Sequence, residues 1–190
     1  LTIARLDQLA ELSIKYAIPT TFSPLFVSAD NVDAVERVMA RVDEQFARGA
    51  RVWPQVQTRP IDISFSFAVP SLLFIRLPGW YNVMRFGTQD EIIEAFSNPE
   101  SRAKLVAEAS SQMGLWSFLR LRHVGSEANQ QYVGKTLAEI GTMRGVSPLD
   151  AMIDLSVEEK LDAHFIAESM GHNQDEKVGG LLKHPRVHIG

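Results

Sequence analysis

The sequence predicts an α/β chain in which helices and strands alternate as in parallel sheets, broken by a long aromatic excursion. Three observations carry this. Before residue 60, two stretches with helical spacing alternate with two short β-rich stretches. From residue 134 the alternation returns and runs to the last residues, while the aromatic "DISFSFAVPSLLFIRLPGWYNVM" between lacks a clean period. The length of 190 residues fits the ~100–200 residues typical of one domain. The expected organisation is one partial domain over 1–190, with 61–130 as an irregular, helix-containing excursion.

Leu6, Leu9, Ala10, Ser13 and Ala17 recur at helical spacing and predict a helix over 1–16. "AIPTTFSPLFV" follows, and its β-formers between Pro19 and Ser23 predict a short buried strand. Asp30 or Asn31 caps the next helix, whose apolar stripe is Val32, Val35, Val38, Met39, Val42 and Phe46, with Gly49 as its stop. "ARVWPQVQTRP" reads as the second strand, bent or ended by Pro54 and Pro60. Within the excursion a short helix is expected over 71–77. Thr88 and Glu91 form a capping box, and Asn98 with Pro99 opens a helix reaching about Met113. "LWSFLRLRHV" reads as extended. A helix closed by Gly145, a second capped by Ser147 with Pro148 behind it, a strand over 163–167, a helix from Asn173 and a closing strand "RVHIG" complete the array.

Composition narrows the function classes. A net charge of −4 without any basic run gives no footprint for nucleic acid or an acidic membrane surface. The longest apolar stretch, "FAVPSLLFI", is broken by Pro70 and falls far short of the ~20 residues of a membrane span. The absence of cysteine removes disulfides and thiolate metal sites and favours a reducing, cytoplasmic setting. The opening "LTIARLDQLA" has neither an initiator Met nor the layout of a signal peptide, so both ends read as cut from something longer.

The histidines come first among candidate ligands. His184 and His188 are four apart, but Pro185 between them removes the shared helix face. His172, in "MGHNQD", reads as a solvated loop residue, and His123 lies beside Arg120 and Arg122, which disfavour a cation. His164 sits on an expected strand next to Phe165 and is the histidine best placed to line a pocket. Asp150 and Asp154 share a helix face and read as dipole complement and solvated surface. Ser23 in "TTFSP" lacks the glycine-flanked elbow of a serine hydrolase, and "GTMRG" and "VGG" close or interrupt helices rather than cradle phosphate. In "PQVQTRP", Gln55 and Gln57 share one strand face and Arg59 follows at the C-terminal end, where ligands bind in parallel α/β folds. Arg59 suits a forked bond to a carboxylate; it reads equally as a structural cation holding the next loop.

The stretch "YVGKTLAEIGTMRGVSPLDAMIDL" (132–155) resembles a segment of the N-acyl-D-amino-acid deacylases, the D-aminoacylase branch of the amidohydrolases. "NQDEKVGGLLKHPRVHIG", "RVWPQVQTRPIDISFSF", "LPGW" and "NPESRAKL" fit the same family. The resemblance implies part of a zinc-dependent (β/α)₈ TIM-type barrel that hydrolyses the amide of N-acyl-D-amino acids. It also implies that the His-x-His pair lies upstream and the catalytic aspartate just beyond Gly190. "IPTTFSP" stands where better-known relatives carry a metal-binding His. No catalytic residue or metal ligand is therefore expected within this chain, and zinc is expected for the longer parent only. The substrate-side candidates are Ser23, Gln55, Gln57, Arg59 and His164, and the partner a small N-acyl amino acid, with homo-oligomerisation through exposed barrel edges. Two alternatives stand beside this: a non-catalytic binding or assembly module presenting the aromatic stretch 65–80, and a related amidohydrolase acting on cyclic amides or dipeptides.

Overall fold

A computed structural model describes residues 3–28, 31–110 and 113–190. The chain is mixed α/β, mostly helical, with two small sheets. It divides into two compact units: residues up to Asp62 together with Ser169–Gly190, and Ile63–Glu168. In chain order the second unit is inserted within the first.

The first unit is a three-stranded parallel sheet in the order β1-β2-β6, with β1 Thr20–Phe22, β2 Val52–Val56 and β6 His188–Ile189. Helices α1 (Ile3–Tyr16) and α2 (Val32–Ala47) precede β2, and α9 (Asp175–Leu182) precedes β6. The expected stripe of α2 is the buried face. Val35, Val38, Met39 and Val42 pack with Leu6 and Ala10 of α1 and with Val52 and Val56 of β2. Asn31 holds the N-cap position of α2 without capping it through its side chain, which instead accepts from Ser28 N–H at 2.7 Å and donates to Phe26 O at 3.1 Å. Asp30, the other expected cap, and the first two residues of the expected first helix lie outside the described residues.

Two polar side chains fix the layers, Ser13 buried and Asp7 half-buried. Ser13 donates to Ile18 O (2.7 Å) and accepts from Arg51 N–H (2.9 Å), joining the end of α1 to the start of β2. Asp7 receives Arg41 through two nitrogens, at 2.7 and 3.1 Å, and Gln45 at 2.6 Å, which clamps α1 to α2. Pro54 stands inside the central strand. Its missing donor is on the β6 side, because Arg51 and Gln55 accept from the β1 side while Val56 accepts from Gly190. The β2–β6 ladder accordingly begins only at Gln55↔His188.

The inserted unit pairs β3 (Ile63–Phe65), β5 (His164–Ala167) and β4 (Arg120–His123) as an antiparallel sheet in the order β3-β5-β4. The expected alternation from residue 134 thus leads into an antiparallel strand, not a third parallel one. Helices α3 (Pro78–Phe86), α4 (Gln89–Ser97), α5 (Pro99–Ala109), α6 (Met113–Phe118), α7 (Leu137–Arg144) and α8 (Pro148–Glu158) surround it. The capping box of Thr88 and Glu91, the Asn98 cap and the Ser147 cap form as the sequence predicts. A second box, Thr136 with Glu139, opens α7, and Gly145 closes it at φ +71°. Leu115–Phe118, expected to be extended, is helical: the Trp116 indole donates to Ala109 O at 2.9 Å and is fully buried.

The aromatic stretch is a core. Phe67 is fully buried and meets Phe65, Phe74, Trp80, Phe96 and Phe165 with ring centroids 5.0–6.2 Å apart. Phe74 lies between Trp80 and Trp116, each 5.2 Å away and nearly parallel. Of the apolar residues in this stretch, Val69, Leu72 and Ile75 are exposed. Among the described residues no helix is long and apolar enough to cross a membrane.

Candidate functional site

The parallel sheet sets the geometry of the first unit's candidates. Side chains alternate across a strand, and in β2 Val52, Pro54 and Val56 are buried while Trp53 and Gln55 are half-buried on the other face. Register places His188 beside Gln55 on that face, and the Trp53 ring stacks on His188 at 5.3 Å. Phe46 meets the same indole edge-on at 5.0 Å. Gln57 follows the strand with the parity of Gln55, half-buried, and Arg59 lies two residues on, exposed. Ser23 is exposed just past β1 and, continuing the Phe22↔Pro54 register, is level with Gln55. Leu25 N–H donates to Gln55 O at 3.0 Å, so the loop after β1 folds back on the end of β2.

Ser23, Gln55, Gln57 and Arg59 therefore gather at the C-terminal ends of β1 and β2. His164 belongs to the inserted unit. It stands on β5 opposite His123, ring centroids 5.7 Å apart and edge-on, with Nε2 3.4 Å from Asp162 Oδ1.

Reading the sequence missed one polar group at the same strand ends. His172 is not solvated but 2% exposed. Its Nδ1 accepts from Val27 N–H at 3.1 Å and its own N–H donates to Val27 O at 2.5 Å. The neighbouring chain segments are laced together: Ile61 N–H donates to Gly171 O (3.0 Å), Met170 N–H to Ile61 O (2.8 Å) and Ser169 N–H to Asp62 Oδ1 (2.9 Å). Gly171 is buried against Phe26, and a Cβ there would lie 2.7 Å from the Phe26 ring. Gly171→Ala is therefore expected to lower the unfolding free energy by about 1–2 kcal/mol, the usual cost of overpacking. Urea denaturation checks it, and an unchanged midpoint would mean that Phe26 moves aside freely.

Asp150 and Asp154 are not a free acidic face. Both hold Arg102, at 2.7 Å each, locking α5 to α8. Gly179 and Gly180 lie within α9 and do not interrupt it. Among the described residues no group of three or more His, Asp or Glu is arranged to hold a metal ion. His172 illustrates why: an Nδ1 that accepts from Val27 puts the ring proton on Nε2, leaving no lone pair there for a metal.

A parallel sheet with helices between its strands and an α/β unit inserted after its second strand defines the architecture. No protein-family model matches the chain, and no curated protein matches it. Among solved structures it is similar to N-acyl-D-glutamate deacylase from Bordetella bronchiseptica, crystallised with zinc and a phosphonate mimic of the reaction's tetrahedral intermediate. The TM-score is 0.51 at 14% identity, over 98% of this chain and 29% of that one. The chain spans less than a third of the structure it matches, and at that identity the likeness is one of fold.

Proposed function

We propose that the chain is a section of an amidohydrolase (β/α)₈ barrel and that the whole enzyme hydrolyses the amide bond of an N-acyl-D-amino acid. One observation carries this reading: a parallel β-α-β array with an inserted unit, nearly all of it superposing on a deacylase. Ligands of parallel α/β folds bind at the C-terminal ends of the strands, where Ser23, Gln57 and Arg59 stand. In this reading Arg59 forks the substrate carboxylate, Gln55 and Gln57 hydrogen-bond its amide or acyl oxygen, and Ser23 closes the rim. His164 is proposed as a further substrate contact from the inserted unit.

Zinc is the metal this reading assigns to the whole enzyme, where it supplies an activated water and a polarised carbonyl. Among the described residues no group of three or more His, Asp or Glu is arranged to hold it. The ligands and the catalytic aspartate are therefore assigned to other parts of the enzyme.

Two measurements test the reading. The purified chain, dialysed against metal-free buffer, should retain less than about a tenth of an equivalent of zinc by elemental mass spectrometry, as a site without its ligand set demands. Stoichiometric retention would overturn the assignment of the ligands elsewhere. In the whole enzyme, Arg59→Ala should raise KM for an N-acyl-D-amino acid about 10–100-fold, the loss of a charge-assisted hydrogen bond, and leave kcat within a few-fold. A substrate whose carboxylate is replaced by a carboxamide should not feel the change. Equal effects on both substrates remove Arg59 from the carboxylate role, and activity confined to cyclic amides or dipeptides replaces the substrate class.

A further inference from the structure

The segment after residue 168 carries a buried titratable group that the proposed function does not use. His172 stands at φ +59°, a region that His enters more readily than most residues. It exchanges two hydrogen bonds with Val27: backbone N–H to Val27 O, and Nδ1 from Val27 N–H. The second bond requires the Nδ1 lone pair, so the ring is neutral and its proton is on Nε2. That Nε2 is buried and has no hydrogen-bond partner among the described residues. The group that meets the ring through Nδ1, the Val27 amide, carries no charge. The titratable side chains of the adjoining segments include Arg59, Asp62, held by Ser169 N–H, and Asp175, Glu176 and Lys177 at the start of α9, while Glu36, Glu176, Lys177 and His184 line a cavity with Val27 and Lys177 pairs with Glu36. None of them offsets burial, which alone pushes the His172 imidazole below its ordinary value.

We propose that His172 is an acid-released latch that fastens the loop after β1, residues 23–28, to the segment 169–174, with the Val27 amide as its catch. A proton taken from solvent onto Nδ1 turns the acceptor into a donor facing the Val27 N–H, so the bond that held the loop becomes a repulsion. The same proton leaves a buried cation whose Nε2 has no partner among the described residues, which is relieved if the ring leaves its place. Val27 is then freed, and with it the packing of Phe26 on Gly171. The loop begins at Ser23 and is pinned at Leu25 to Gln55 O, so release reshapes the strand-end face. The latch itself does not depend on the function proposed above.

The sign follows from linkage. The folded imidazole has a lower pKa than the unfolded one, so the unfolded or released state binds more protons. The latch is fully closed above the unfolded value of ~6.5 and loosens as pH falls below it toward the depressed native value.

Amide hydrogen exchange at Val27, corrected for the intrinsic pH dependence of exchange, tests this. Protection should fall several-fold between pH 7.5 and 5.5, up to about tenfold, the most that linkage of one proton supplies over that interval. In His172→Asn, which keeps an acceptor, tolerates positive φ and cannot titrate, protection should be the same at both values. Constant protection in the native chain overturns the latch, as does a pH-dependent loss that survives in the variant. Should the variant not fold, nitrogen NMR of the native imidazole decides. An Nε2–H tautomer whose titration tracks Val27 exposure supports the latch. An Nδ1–H tautomer, or titration with Val27 still protected, overturns it.

Discussion

Phe67→Ala is expected to lower the unfolding free energy by about 3–5 kcal/mol, the range for deleting a buried aromatic ring. The ring is fully buried, and five other aromatic side chains lie around it. Rigid rings collapse poorly into a void, so most of the cavity persists and its walls lose their dispersion contacts. The edge-on contacts with Phe65 and Phe96, at 5.7 and 5.0 Å, disappear with it. Phe67→Leu, which refills much of the volume, should cost markedly less. Because domains are stable by only about 5–15 kcal/mol, the Ala variant should also lose near-ultraviolet circular dichroism from Trp80 and Trp116 at modest urea concentrations. A loss under about 1 kcal/mol would mean that the aromatic cluster is loosely packed.

What the sequence disclosed and what it hid divide by the range of the interaction. The caps at Thr88, Asn98 and Ser147 were legible because a cap is complete within four residues. The stripe of α2 was legible because one helix face sums many small preferences. Strand β3 was not, since a three-residue strand acquires its identity only from its pairing with β5, about a hundred residues later. Separations of 48 and 52 residues likewise hid Arg102, which converts Asp150 and Asp154 from an apparent solvated face into a clamp. At the candidate site, the shared face of Gln55 and Gln57 and the strand-end place of Arg59 follow from strand parity alone. His172 could not be found that way, because a polar, glycine-containing loop says nothing about which backbone amide its imidazole meets 145 residues earlier in the chain. Its positive φ, and the neighbouring one at Ser169, leave no signature in residues of these types.

Glu159→Gln should be the most damaging exposed-looking change, at about 2–3 kcal/mol near neutral pH, the scale of hydrogen bonds to a buried charge. The carboxylate follows α8 and is 7% exposed. Oε2 accepts from Gly125 N–H and Ser126 N–H at 2.9 Å each, and Oε1 from the Ser126 hydroxyl and from Asn129 Nδ2 at 2.6 Å. A glutamine amide puts a donor where a donor already points. Asn129 in turn accepts from Arg144 at 2.8 Å, and Arg144 pairs with Glu158 and covers the Tyr132 ring at 4.6 Å. Arg144 and Tyr132, which belong to the 132–155 stretch, are thus engaged with Glu158, Glu159 and Asn129 in holding α7, α8 and the turn before Tyr132 together. Burial pushes the Glu159 carboxyl up, but hydrogen bonds from Ser126, Asn129 and the Gly125 and Ser126 amides outweigh it and leave it below its ordinary range. A lowered folded value means that this stability is complete above the unfolded carboxyl pKa of ~4.3 and is lost as pH falls through the folded one. Protonated glutamate is nearly isosteric with glutamine, so the native and variant stability curves should separate at pH 7 and converge toward pH 3, measured by urea denaturation at each pH. Curves that run parallel throughout would place the cost in side-chain shape and remove the charge from the explanation.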